Sequence, residues 1–258
     1  MQEAKPPLRV EEVERVLGLL APLSESAQIV LVGGQALAFW SARFAEPAGE
    51  IRVVASKDID FEGSAAAARR AAQLLGGEVM IPPPREPSPM TGTVTFVDAD
   101  GIDRSLDFID APRGLDAEDV RATAIRVELS MPSRDDRAVL WVMHPERCME
   151  SRIYNTIDLG RDDELGLSQL EVSVPVTRRW SQSLLEDRTI EERRRQRAVL
   201  DLNERIFQLC SEDRCFLAIH RRYGVDPFEA VLADPRLPED FLTKRYSQMR
   251  ERLAEIRQ

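Results

Sequence analysis

Ile29-Val30-Leu31-Val32-Gly33-Gly34-Gln35-Ala36-Leu37 is an apolar run that ends in a glycine pair and continues into an amphipathic segment. It reads as a strand, a tight turn and a helix start, with glycine backbone N–H groups open to an anion. Further on, Ser56-Lys57-Asp58-Ile59-Asp60-Phe61 sets two carboxylates at i and i+2. On a strand, both project from one face. An anion cradle beside two co-facial carboxylates points to metal-assisted chemistry on a nucleotide.

Working outward, Val10, Val13, Val16, Leu17 and Leu20 form a helical stripe ahead of the first strand. Ser64 is placed to cap an Ala-rich helix through Leu75 that Gly76-Gly77 ends. Glu78 to Ile81 reads as a short strand. Pro82 to Pro89 can be neither helix nor central strand. A surface loop is the simpler reading of that stretch, and a flap carrying Arg85 the sharper one.

Thr93–Val97 and Asp103–Ile109 flank Asp98-Ala99-Asp100-Gly101, a hairpin signal that makes Asp98 and Asp100 turn residues. Asp107 lies past the turn, inside the apolar strand Ser105-Leu106-Asp107-Phe108-Ile109. Two more strands, Ile125–Leu129 and Ala138–Val142, surround a polar loop. From His144 the pattern turns helical: Pro145 suits a first helical position, and Cys148, Met149, Ile153 and Ile157 form a stripe. Further helices are expected at about 163–186, 188–210, 212–222 and 238–257. The fold class is therefore α/β (α+β), an α/β domain over 1–143 followed by a helical domain over 144–258.

The Gly33-Gly34 turn, Asp58-Ile59-Asp60 and the strand carrying Asp107 together resemble the nucleotidyltransferase superfamily, which includes polymerase-beta-like minimal and toxin-type transferases. That family carries a hydrophobic-Gly-Gly turn, an Asp-x-Asp strand and a third carboxylate on a neighbouring strand. The resemblance spans residues 28–110. The 23 residues between Gly34 and Asp58 exceed the gap of the most compact members; a helix from Gln35 to Phe44 and a loop from Ala45 to Val54 absorb them. The resemblance implies a mixed sheet with flanking helices and transfer of NMP from an NTP to an acceptor hydroxyl.

In that chemistry Asp58, Asp60 and Asp107 are both the catalytic and the metal-ligating residues. Two Mg²⁺ ions about 4 Å apart would sit on them, with Mn²⁺ as an alternative. Asp107 would also lower the pKa of the incoming hydroxyl, or accept its proton. Gly33 and Gly34 would approach the phosphates, and Ser56 is a further phosphate contact. By the same resemblance, Arg152 on the first helix after the sheet would reach the triphosphate.

Lys57 and Arg104 have the opposite strand parity from the aspartates and read as surface residues. Arg178 to Arg197 holds seven arginines against four acids. A solvated helix face is the default there, and a contact for RNA phosphates the functional alternative. Trp180 reads as a half-buried helix residue rather than a base-stacking platform.

The 43% hydrophobic and 31% charged fractions are those of a globular chain, and no stretch has the apolar length of a membrane span. No apolar signal core follows Met1, so a cytoplasmic location is expected. Cys148, Cys210 and Cys215 have no metal-ligand spacing and read as buried thiols. With only His144 and His220 present, a histidine zinc site and a His-based triad are disfavoured. A net charge of −10 argues against broad, non-specific nucleic-acid binding.

The expected partners are an NTP and an acceptor: an RNA 3′ end or a protein side chain, as for toxin-type relatives, or an antibiotic-like small molecule. Apolar stripes on the C-terminal helices are consistent with a homodimer. Two rivals stand beside the transferase, a catalytically silent antitoxin-like binding module of the same fold and a metal-dependent hydrolase using the same carboxylates.

Overall fold

The computed structural model describes residues 10–26, 29–45, 51, 59–83, 88–130 and 137–258. They group into two compact units, one within Met1–Phe39 and Val54–Ser151, the other within Trp40–Val53 and Arg152–Gln258. The pattern change at residue 143 separates sheet from helices in sequence. The units themselves divide inside two helices, after Phe39 and after Ser151.

The first unit contains α1 (Val10–Glu25), β1 (Ile29–Val32), the start of α2 (Gly33–Phe44), β2 (Ile59–Gly63) and α3 (Ala65–Leu75). These are followed by β3 (Glu78–Met80), β4 (Met90–Val97), β5 (Asp103–Ile109), α4 (Ala117–Thr123), β6 (Ile125–Ser130), β7 (Arg137–Val142) and the start of α5 (Pro145–Leu159). The strands form one mixed sheet in the order β3-β4-β5-β2-β1-β7-β6. Pairings β2–β5 and β1–β7 are parallel and the other four antiparallel. The architecture is thus α/β with a mixed seven-stranded sheet.

Strand alternation decides which face is core. Ile59, Phe61, Leu106, Phe108, Val94 and Phe96 share one face and are buried, with Phe61 and Phe108 stacked at 5.6 Å. Helices α1 and α3 pack against the sheet and against each other. α3 follows its sequence signals closely. The Ser64 side chain accepts from the Ala67 N–H, and Gly76 closes the helix at φ 65°. Ala67, Ala68, Ala71 and Ala72 form its buried face.

The β4–β5 hairpin turns as expected, but Arg104 is not a surface residue. It is 7% exposed, and its Nε donates to Asp98 Oδ2 at 2.8 Å. Its strand face is the core face, so the buried guanidinium needs that carboxylate. Asp98 also accepts from the Asp100 and Ile102 N–H groups. Desolvation would raise the Asp98 carboxyl, yet these hydrogen bonds hold it below the usual range.

The second unit contains Trp40 to the end of α2, the end of α5, α6 (Glu164–Glu186), α7 (Glu192–Glu212), α8 (Arg214–Tyr223) and α9 (Tyr246–Ile256). A 3-10 turn (Pro227–Ala230) and a π turn (Phe241–Arg245) lie between α8 and α9. Trp40 explains why the end of α2 belongs here. It is 1% exposed, stacks on Phe44 and meets Trp180 edge-on at 5.2 Å. Trp180 is therefore a packing residue. Ser173, Thr177 and Ser181 run along α6 fully buried, each hydroxyl donating to a carbonyl of its own helix.

α7 starts at Glu192 rather than 188, because Asp187 accepts from the Thr189 N–H and hydroxyl and turns the chain first. All three cysteines are buried free thiols. Among the described residues, no helix is long and apolar enough to cross a membrane.

Candidate active site

The face of the sheet opposite Phe61 and Phe108 carries a row of polar side chains at one register level. Val32 on β1 pairs with Asp60 on β2, Asp60 with Asp107 on β5, and Asp107 with Thr93 on β4. Residues in register on neighbouring strands project from the same side, about 4.8 Å apart. Asp60 and Asp107 are therefore side by side on adjacent parallel strands, both only partly buried.

Gly33 closes the row where β1 becomes α2. Its φ is +67°, and a Cβ there would stand 2.5 Å from Asp60 Oδ2. The Asp60 carboxylate thus lies against the first residue of α2, where the positive end of the helix favours a negative group. Gly34 continues the helix without a positive φ. Across the row, Thr93 Oγ1 donates to Asp107 Oδ1 at 2.9 Å, which fixes that carboxylate. Asp107 has no ion-pair partner among the described residues.

Glu62 shares the face, two residues along from Asp60, and is fully buried. Arg121 from α4 clamps it, with Nε 2.9 Å from both carboxylate oxygens and Nη2 on Oε1. That carboxylate is already neutralised.

Asp58, Ser56, Lys57 and Arg85 lie outside the described residues. The structure brings Gly33, Asp60 and Asp107 together. It places Arg152 in the helical unit, 9% exposed, with Nη1 donating to Gln169 Oε1 at 2.9 Å. Among the described residues no group of three His, Cys, Asp or Glu side chains is arranged to hold a metal. Two co-facial carboxylates nevertheless match the donor set of Mg²⁺, which takes one or two protein carboxylates and completes its shell with water and phosphate oxygens.

A second acidic group, absent from the sequence reading, sits where β7 enters α5. Arg147 is 3% exposed, donates to Glu150 Oε2 at 2.7 Å, lies 3.5 Å from Glu146 Oε2 and pairs with Asp119 on α4. Burial pushes the Glu146 carboxyl up to about 7 against the pull of Arg147. Burial, with Glu146 beside it, does the same to Glu150, also to about 7. His144 Nδ1 accepts from the Glu146 N–H, and burial, with Arg147 nearby, lowers the imidazole to about 4. In sequence, the stretch Glu150 to Asn155 sets polar residues on an otherwise apolar stripe, which does not reveal that α5 buries Glu146, Arg147 and Glu150 as one charged group.

Comparison with models of known protein families, with curated proteins and with solved structures found no match.

Proposed function

We propose that this chain is a metal-dependent nucleotidyltransferase that moves NMP from an NTP to an acceptor hydroxyl. The observation that carries the reading is the register pairing of Asp60 with Asp107 on adjacent strands, beside the Gly33 entrance to α2. A hydrophobic-Gly-Gly strand end, an acidic strand and a neighbouring strand with another carboxylate is the arrangement the sequence motifs call for.

In this reading Asp60 and Asp107, with Asp58, would hold Mg²⁺, which when bound would neutralise phosphate charge and acidify the acceptor hydroxyl. Asp107 takes the hydroxyl proton. The freed oxygen attacks the α-phosphorus, a P–O bond forms, the bond to the bridging oxygen breaks, and pyrophosphate leaves with that electron pair. Thr93 holds Asp107 in orientation for the transfer. Gly33 keeps the backbone low enough for Asp60 to reach the site. Arg152, in the helical unit, donates to Gln169 and takes no part in these steps.

The test incubates protein with each α-labelled NTP and Mg²⁺, offering total tRNA, total protein or no acceptor. Label should pass to one pool with wild type and fall by about two orders of magnitude or more in Asp60→Asn and Asp107→Asn. Folded variants that transfer label as wild type does would refute these roles. Absence of both transfer and Mg²⁺-dependent NTP binding in wild type would leave the silent binding module.

A further inference from the structure

We propose that the helical unit carries a second, separate site, a pocket for a small molecule bearing a phosphoryl group and hydroxyl donors. It lies between the end of α6, the start of α7 and the turn before Leu237. Its volume is about 470 Å³, and its lining includes Glu186, Arg188, Glu192, Arg195, Gln196 and Arg236. Three guanidinium groups and two carboxylates line it; counting the ion-pair partners Asp234 of Arg236 and Arg179 of Glu186, one positive charge is left over in a chain whose net charge is −10.

Two of the arginines are held in place by the protein. Arg236 Nε and Nη2 each donate to Asp234 at 2.8 Å, which leaves Nη1 to give. Arg195 Nη1 donates to the Leu185 carbonyl at 2.7 Å. Arg188 is exposed and makes no ion pair among the described residues. Guanidinium forks fixed in this way bind phosphoryl oxygens with little further loss of side-chain freedom. The N-cap residue of α7, Glu191, makes no side-chain cap hydrogen bond.

The carboxylates narrow the ligand class. Glu186 already takes Arg179 Nη1 at 3.0 Å, but a bare polyanion would meet Glu192 with nothing to offer it, whereas a phosphorylated sugar brings hydroxyl donors. Gln196 Nε2 reaches Glu192 and the Arg236 carbonyl, joining the two sides of the pocket. Outside it, three of the run's other five arginines are paired close by: Arg179 with Glu186 at 3.0 Å, Arg194 with Glu191 at 3.7 Å and Arg197 with Asp201 at 2.9 Å. These pairs favour a small phosphorylated ligand over an extended RNA contact.

Calorimetric titration with ribose 5-phosphate, inorganic phosphate and ribose tests the site on the full chain. Ribose 5-phosphate should bind saturably and more tightly than phosphate, with ribose alone inert. Arg188→Ala and Arg236→Ala, both at exposed positions, should each weaken binding about tenfold. Asp107→Asn should leave it unchanged, which separates this site from the carboxylate pair. No saturable binding at millimolar ligand, binding indifferent to both arginine variants, or binding lost in Asp107→Asn would each overturn the proposal.

Discussion

At Gly33 a backbone angle and a side-chain approach impose the same residue. The φ of +67° strains any L-residue, and the added Cβ would overlap Asp60 Oδ2. Gly33→Ala should destabilise the protein by about 1–3 kcal/mol and rotate Asp60 out of line with Asp107. Urea denaturation in an Asp60→Ala background separates the two effects. There the overlap is gone and only the φ strain remains, so the penalty should shrink. An equal penalty in both backgrounds would show that Asp60 does not press on Gly33. Gly33, Asp60 and Asp107 were legible because their residue types are unusual for their places: a glycine pair ending an apolar strand, and acids inside apolar strands. Glu62 and Arg104 were not. Parity set Arg104 on the side away from Asp107, but did not show that this side is core or that Asp98 would receive the guanidinium, and nothing in the sequence showed that α4 would bring Arg121 onto Glu62.

Elements were legible where both ends carried chemistry. α3 has Ser64 at its start and Gly76 at its end, and its bounds follow those residues. Ser64→Ala removes the acceptor for the Ala67 N–H and should cost about 1 kcal/mol. At Gly76 a Cβ would meet nothing within 4 Å, so Gly76→Ala should cost only the left-handed strain, about 1–2 kcal/mol. The two sites share no partner, so the double variant should show their sum in denaturant midpoints. A double variant no worse than either single one would mean the helix ends are coupled. α4 escaped the sequence reading because seven residues hold too little periodicity to stand out. Its one usable sign was Asp116, which accepts from the Glu118 and Asp119 N–H groups. The late start of α7 escaped for a related reason, since Asp187 and Thr189 compete for the backbone in a stretch that periodicity alone would continue as helix.

For the whole molecule, the buried group at the start of α5 sets the pH dependence of stability. Glu146 and Glu150 have folded values of about 7 against 4.5 for the free side chain. The folded state therefore binds more protons than the unfolded one between those limits, and stability falls as pH rises through that window. His144 acts in the opposite sense. Its folded value of about 4 lies below 6.5, so stability rises with pH between those limits. Two groups oppose one from 4.5 to 6.5, and the two act alone from there to 7. The lowered carboxyls of Asp98, Asp187, Asp226 and Asp234 lose their contribution only as pH falls below 3.8. Thermal melts should therefore show the protein most stable on the acid side, with a melting temperature that declines between pH 4.5 and 7. In Glu146→Gln/Glu150→Gln only the His144 contribution remains in that window, so below 6.5 the slope should reverse and the melting temperature should climb with pH. Any general loss from leaving Arg147 with Asp119 alone would shift the whole curve without restoring the wild-type slope. A double variant whose melting temperature still declines as the wild type's does would place the titrating groups elsewhere.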